Sequence, residues 1–312
     1  MTLLDAGSGW QATGPAGMPE PPGSDEIAAG SAAARPLREA WRMFAGNPLA
    51  LVGLAILAGI VVMTIIGPYL YPVDPFDIVG APLTPPGEGG LLFGSDYLGR
   101  DMLAGIIHGG RASLTVGGFA AIITMAIGIS IGALAGFYGG WADRVLMRVT
   151  EFFQVLPPLL LAMVLVTLFS PTLTTITLSI GVVSWTNVAR LTRAEFLKIR
   201  SLDYVLAGRA VGARDRRLIW RVILPNALPP LVVAAALSVG VAILFESGLS
   251  FLGLGDPNVM SWGMMIGQNK QVMLDAWWPT TIPGAAIFAA VLSISLIGDG
   301  LNDALNPRLR RR

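Results

Sequence analysis

Lys198 and Lys270 are the only lysines in the chain, His108 is its only histidine, and it has no cysteine. A loop that cradles nucleotide phosphates ends in a lysine followed by serine or threonine, so that backbone N–H groups and the ammonium hold the phosphates together. Lys198 is followed by isoleucine and Lys270 by glutamine, which excludes that loop. A zinc-peptidase helix needs two histidines four residues apart, and one histidine cannot supply them. The missing cysteines exclude disulfides and thiolate metal sites, and the acidic residues are too scattered to form a ligand set. Gly253 and Gly255 in FLGLGDPN lack the third glycine of a dinucleotide-binding turn. These residues point to no catalytic, cofactor-binding or metal site, and to no energy source within the chain.

The elements that remain are those of a membrane protein. Hydrophobic residues make up 54% of the 312 positions and charged ones 13%, with a mean hydropathy of +0.66, where a soluble domain carries about 25% charged residues. A hydrocarbon core about 30 Å thick takes roughly 20 apolar residues as a helix. Six runs approach that length: Leu49 to Leu70, Ala112 to Phe137, Phe152 to Phe169, Leu173 to Val188, Ala227 to Phe245, and Thr281 to Ile297. Ser170, Pro171 and Thr172 alone separate the third from the fourth, as a tight hairpin turn would. The predicted fold is therefore all-α, with about six transmembrane helices. Residues 1–34, rich in Gly, Pro, Ala and Ser and without Lys or Arg, read as a disordered cytoplasmic tail ahead of a membrane domain over 35–312.

Basic residues orient the spans, because they accumulate in cytoplasmic connections. With the N-terminus inside, the inner segments hold Arg35, Arg38 and Arg42, then Arg144 and Arg148, nine basic residues between Arg190 and Arg221, and Arg308, Arg310, Arg311 and Arg312. The outer segments hold only Arg100, Arg111 and Lys270. This distribution predicts both termini in the cytoplasm, an outer loop over about 71–111 and a large cytoplasmic loop over about 190–225.

The runs contain almost no ionisable groups, whereas ion-coupled carriers bury several. Glu246, at the outer end of the fifth run, is the nearest case, and it reads either as lining a polar pathway or as a solvated interfacial carboxylate. Gly128, Gly132 and Gly136 recur every four residues in the second run, a helix face for close packing within the chain or with a second copy. The cytoplasmic stretch LDYVLAGRAVGARDRRLIWRVILP (202–225) spaces Tyr204, Val205, Ala207, Val211, Leu218, Ile219 and Val222 as one or two short amphipathic helices need, with Gly212 between them. Such a segment lies either on anionic lipid or against a cytoplasmic partner.

The same stretch resembles the cytoplasmic signature of permease subunits in bacterial ATP-binding cassette importers. That signature reads Glu-Ala-Ala, three residues, Gly, nine residues, Ile, one residue, Leu-Pro. Ala207, Gly212, Leu224 and Pro225 match it, while Leu206 stands for its Glu, Gly208 for its second Ala and Val222 for its Ile. Four further stretches are similar to the C-type permease of dipeptide and oligopeptide systems: FGSDYLGRDMLAGIIHGGRASL (93–114), GFYGGWADRVLMR (136–148), ESGLSFLGLG (246–255) followed by Ser261-Trp262-Gly263, and IGDGLNDALNPR (297–308).

The resemblance implies a type I importer permease in a bacterial cytoplasmic membrane, without chemistry of its own. A coupling helix, with Tyr204, Ala207, Arg209, Gly212, Arg216 and Pro225 as its central residues, would seat in a cleft of a cassette ATPase. Arg209, Arg214, Arg216 and Arg217 would pair there with acidic groups. ATP and Mg would be held by those ATPase subunits and by nothing in this chain. A B-type permease would form the other half of the pathway, and an extracytoplasmic binding protein would deliver the peptide; lipid is a partner and nucleic acid is not. Asp96, Arg100, Asp101, Glu246 and Trp262 are the residues expected at the outer mouth, the docking surface or the pathway. Readings that stay open are a sister importer of nickel chelate, glutathione or another small solute, a stand-alone channel or secondary carrier, and a membrane enzyme.

Overall fold

A computed structural model describes residues 36–305, and within them the chain is helical, with no strand longer than an isolated bridge. The leading segment 1–34 and the basic residues after 305 lie outside the described residues.

A short helix α1 (Pro36–Ala45) leads into α2 (Pro48–Leu70). Asn47 caps α2, its side-chain oxygen accepting from the Leu49 and Ala50 N–H groups at 3.0 and 3.2 Å, and Pro48 stands where a missing N–H costs nothing. Much of α2 is exposed, including Leu49, Val52, Val62 and Ile65, as suits a helix whose solvent is lipid.

The outer segment then runs without regular structure until Asp101 caps α3 (Met102–Tyr138). Two turns fix its path. Gly94 and Gly99 have φ of +73° and +83°, and a Cβ there would fall 2.3 Å from the Thr84 carbonyl oxygen and 2.2 Å from that of Gly80, so only glycine fits. At 37 residues α3 is about 55 Å long. It begins well ahead of the Ala112 boundary read from hydropathy, so His108 and Arg111 belong to the helix and not to the outer loop. Hydropathy misses the extension because a polar stretch from His108 to Arg111 interrupts it; the Asp101 cap is what starts the helix.

The third apolar run is two helices, α4 (Gly140–Val155) and α5 (Pro158–Phe169), bent by 84° where Leu156 precedes Pro157; a residue before proline leaves the helical region. Ser170, at φ +74°, turns the chain into α6 (Leu173–Val183) as the hairpin reading requires. After Ser184 comes α7 (Trp185–Arg200). The fourth run is thus not one long apolar helix. Its 11-residue α6 is continued by a polar α7. Among the described residues, four helices are long and apolar enough to cross a membrane, or up to five if the bent α4–α5 pair counts as one span.

The glycine face shows how α7 packs against α3. Cβ atoms added at Gly128, Gly132 and Gly136 would fall 2.5 Å from Val188 Cβ, 2.3 Å from the Ala189 carbonyl oxygen and 2.6 Å from Phe196 Cβ. The contacts advance along α7 as they advance along α3, so the two helices run parallel, and α4 with α5 must return the chain between them.

Beyond α7 lie α8 (Asp203–Ala210) and a long helical run, α9 (Asp215–Leu254), kinked near its end by Gly253 at φ +84°. The fifth apolar run starts at Ala227, but α9 begins earlier, at Asp215. Its Leu218–Ile223 stretch widens into π turns, with the Leu224 N–H reaching back to the Ile219 carbonyl, and this looser register carries the helix into Pro225. A short α10 (Trp262–Asn269) precedes α11 (Trp278–Leu305).

Candidate functional site

The segment over 202–225 has two faces. Its rear is core: Val205, Leu218, Ile219 and Ile223 pack with Phe137 of α3 and with Phe196 and Ile199 of α7. Its front is open. Tyr204, Leu206, Val211 and Trp220 are exposed, with Ala207 between them. Between α8 and α9, Gly212 donates to the Arg209 carbonyl at 2.9 Å and Ala213 to that of Gly208 at 3.0 Å. These paired bonds close a helix on a left-handed residue. Gly212 has φ +80°, yet a Cβ on it would meet nothing within 4 Å. The glycine is therefore needed for its backbone angle, and the space above it is free in this chain.

The basic residues divide. Arg209 lies 4.8 Å from the centre of the Phe137 ring, a stacking contact inside the chain. Arg214, Arg216, Arg217 and Arg221 are exposed and form no ion pair among the described residues. Pro225 is exposed behind the π turns. The segment thus presents apolar side chains flanked by unpaired cations. The exposed Leu206 and Trp220 extend this surface beyond the residues that sequence spacing singled out; an indole within so basic a stretch is the signal that marks it.

The outer residues are elsewhere than an open mouth. Asp96 is buried, its Oδ1 accepting from the N–H groups of Leu98 and Arg100 at 2.8 Å each. Asp101 is buried too, accepting from Leu103 at 2.7 Å, from Ala104 and from the Tyr71 hydroxyl. Arg100 donates to Gln268 at 3.2 Å and lies over Phe76. Trp262 is fully enclosed, its indole N–H donating to the Ile106 carbonyl at 3.0 Å. All four hold the outer segment, α3 and α10 in register.

The solvated reading of Glu246 is corrected: its residue is 1% exposed. Ser250 donates to the carboxylate at 2.8 Å, Ser113 at 3.1 Å and Ser247 at 3.5 Å. A carboxylate removed from water is tolerated when hydroxyls satisfy its lone pairs. Glu246 joins α9 to α3. Its partner Ser113 lies 133 residues away, and sequence carries no sign of that contact.

Gly128-Ile-Ser-Ile-Gly132 has the Gly-x-Ser-x-Gly spacing of a hydrolase elbow. Here it is continuous helix, and the Ser130 hydroxyl is spent on the Ala126 carbonyl at 2.7 Å. An elbow serine sits on a sharp strand-to-helix turn, and Ser130 lies in mid-helix. No group of three or more metal-ligating side chains occurs among the described residues.

Residues 128–311 match the binding-protein-dependent transport system inner membrane component family. The chain belongs to that family. Residues 35–86 of the permease also match the N-terminal transmembrane domain of oligopeptide transport permease C. The permease is 42% identical to a di/tripeptide transport system permease protein of Pseudomonas aeruginosa, over 88% of its own length and 93% of the relative's. It is 40% identical to a dipeptide transport system permease protein of Haemophilus influenzae, over 88% and 96%. A glutathione transport system permease protein of Pectobacterium atrosepticum is 35% identical, over 88% and 92%. Among solved structures, the MetNI methionine ABC transporter in inward facing conformations matches with a TM-score of 0.57 at 20% identity, covering 66% of this chain and 98% of that one. That likeness concerns fold alone, the type I importer permease.

Proposed function

We propose that the permease is the C-type subunit of a peptide importer, forming half of a pathway for di- and oligopeptides and coupling it to cassette ATPase subunits. The observation that carries this reading is the cytoplasmic segment: a short helix and a left-handed turn fixed from behind by α3 and α7, with an open apolar and cationic front. Such a front suits a groove with acidic edges. Nucleotide and Mg belong, on this reading, to the ATPase subunits, a second permease completes the pathway, and a binding protein supplies peptide from outside. The concentration of basic residues in the segments that include α8 supports a cytoplasmic location for both termini. The relatives' names support peptides as cargo.

A second reading, an importer of glutathione or another small solute with the same architecture, is favoured by the similarity to the glutathione permease. One experiment separates the two. The permease is purified from its native membrane in mild detergent, its companions are identified, and ATP hydrolysis is followed with peptides, glutathione and binding protein. Recovery of a cassette ATPase and a second permease with peptide stimulation is the expected result. Stimulation by glutathione alone moves the assignment to the sister importer, and recovery of the chain without any ATPase overturns both.

A further inference from the structure

A cleft of about 770 Å³ opens where the outer ends of α2, α3 and α6 meet the segment before α10. It is large enough for a small organic ligand, since such sites run to about 300–1,000 Å³. His108 and Arg111 line it from successive turns of α3. The His108 Nε2 is shielded from solvent and has no hydrogen-bond partner. A shielded atom is out of a ligand's reach, so the half-buried imidazole meets the cleft by its other edge. Arg111 is exposed to the cleft and forms no ion pair among the described residues. Asp74 lies on another wall, one oxygen accepting from the Phe76 N–H at 2.8 Å and the other left over. The rest of the wall is mostly apolar, with Phe76 and Met260 among its side chains, and also carries Thr115 and Asn258.

We infer that this cleft holds a short zwitterionic peptide on the outer face of the permease. Arg111 and His108 bind its terminal carboxylate, and Asp74 faces its ammonium group. A planar guanidinium matches a carboxylate through two parallel hydrogen bonds, which an imidazole N–H one turn away reinforces. The combination of cation and carboxylate in one cleft fits a ligand bearing both charges better than a lone anion, and apolar walls accept varied side chains. The inference rests on the peptide reading above and adds to it a receiving site within this chain.

The test uses the full chain in nanodiscs of phosphatidylcholine, probed by saturation-transfer NMR with alanyl-alanine, its C-terminal amide and its N-acetyl form. The free dipeptide is expected to bind, with the amide and the acetyl form each about tenfold weaker. Arg111→Gln is expected to abolish the preference for the free carboxylate, and His108→Phe to reduce it. Thermal unfolding of each variant checks that α3 is intact, and Arg144→Gln, at the opposite end of the bundle, is expected to keep the preference. Equal binding of dipeptide and amide, an unchanged preference in folded Arg111→Gln, or no binding to the folded wild-type chain overturns the inference. If the purified importer still hydrolyses ATP faster with peptide in that last case, the peptide reading stands and only the receiving site falls.

Discussion

Tyr71 donates its hydroxyl to Asp101, the carboxylate that caps α3 through the Leu103 and Ala104 N–H groups. The bond ties the end of α2 to the start of α3 across the whole outer segment. Donation to the carboxylate, then burial, then the Asp101 charge push the Tyr71 phenol up from 10.0 to about 12. A raised folded-state value means that the stabilisation is complete below pH 10 and disappears as pH climbs through 12. Tyr71→Phe is therefore predicted to cost about 1 kcal/mol at pH 8. The difference from wild type should shrink between pH 10 and 12, as read from paired melting curves in detergent.

Close helix contact predicts unequal costs for similar substitutions. Gly132→Leu must displace the Ala189 carbonyl and Thr192, whereas Gly59→Leu meets nothing within 4 Å. The first is expected to destabilise by about 1–3 kcal/mol or more and the second to leave the melting temperature nearly unchanged. Equal melting temperatures would show that α3 and α7 do not meet in this way.

Gly212→Trp separates folding from coupling. The positive φ costs a side-chain-bearing residue about 1–2 kcal/mol, but the space above Gly212 is empty in this chain, so the variant should insert and fold. If a partner fills that space, the indole obstructs it, and both the yield of co-purified ATPase and the rate of peptide uptake should fall at least tenfold. Normal uptake would remove Gly212 from the interface.

Removing the Glu246 carboxylate leaves three serine hydroxyls without their acceptor. Glu246→Ala is predicted to destabilise the outer half by about 2–4 kcal/mol, with Glu246→Gln milder because the amide keeps one acceptor and the side-chain volume. Limited proteolysis around residues 250–262, with melting temperature, distinguishes the two; equal resistance would argue that the serine cage contributes nothing.

How much of this was legible varies with the range of the interaction. Glycines at 128, 132 and 136 gave a packing face from spacing alone, and Gly212 with its neighbours gave a helix, a turn and a second helix, because these are local periodicities. The length of α3 was not legible: an Asp cap overrides a hydropathy boundary, and the polar residues from His108 to Arg111 look like loop when no partner helices are in view. Glu246, Asp101 and Trp262 were misjudged for one reason. Their burial depends on contacts across long sequence separations, Trp262 to Ile106 or Glu246 to Ser113, and a single chain of letters carries no record of those distances.

The constant register of α3 against α7 has a mechanical meaning. Asp101 and Trp262 clamp one end of a rod about 55 Å long, and Arg200, donating to the Phe137 carbonyl at 2.7 Å, clamps the other beside Arg209. Such a rod pivoting by about 10° around its middle swings each tip by about 5 Å, in opposite senses. Ala120, fully buried near the midpoint, is the natural fulcrum, and were a partner to push on the turn at Gly212, His108 and Arg111 would move the opposite way, as on a see-saw.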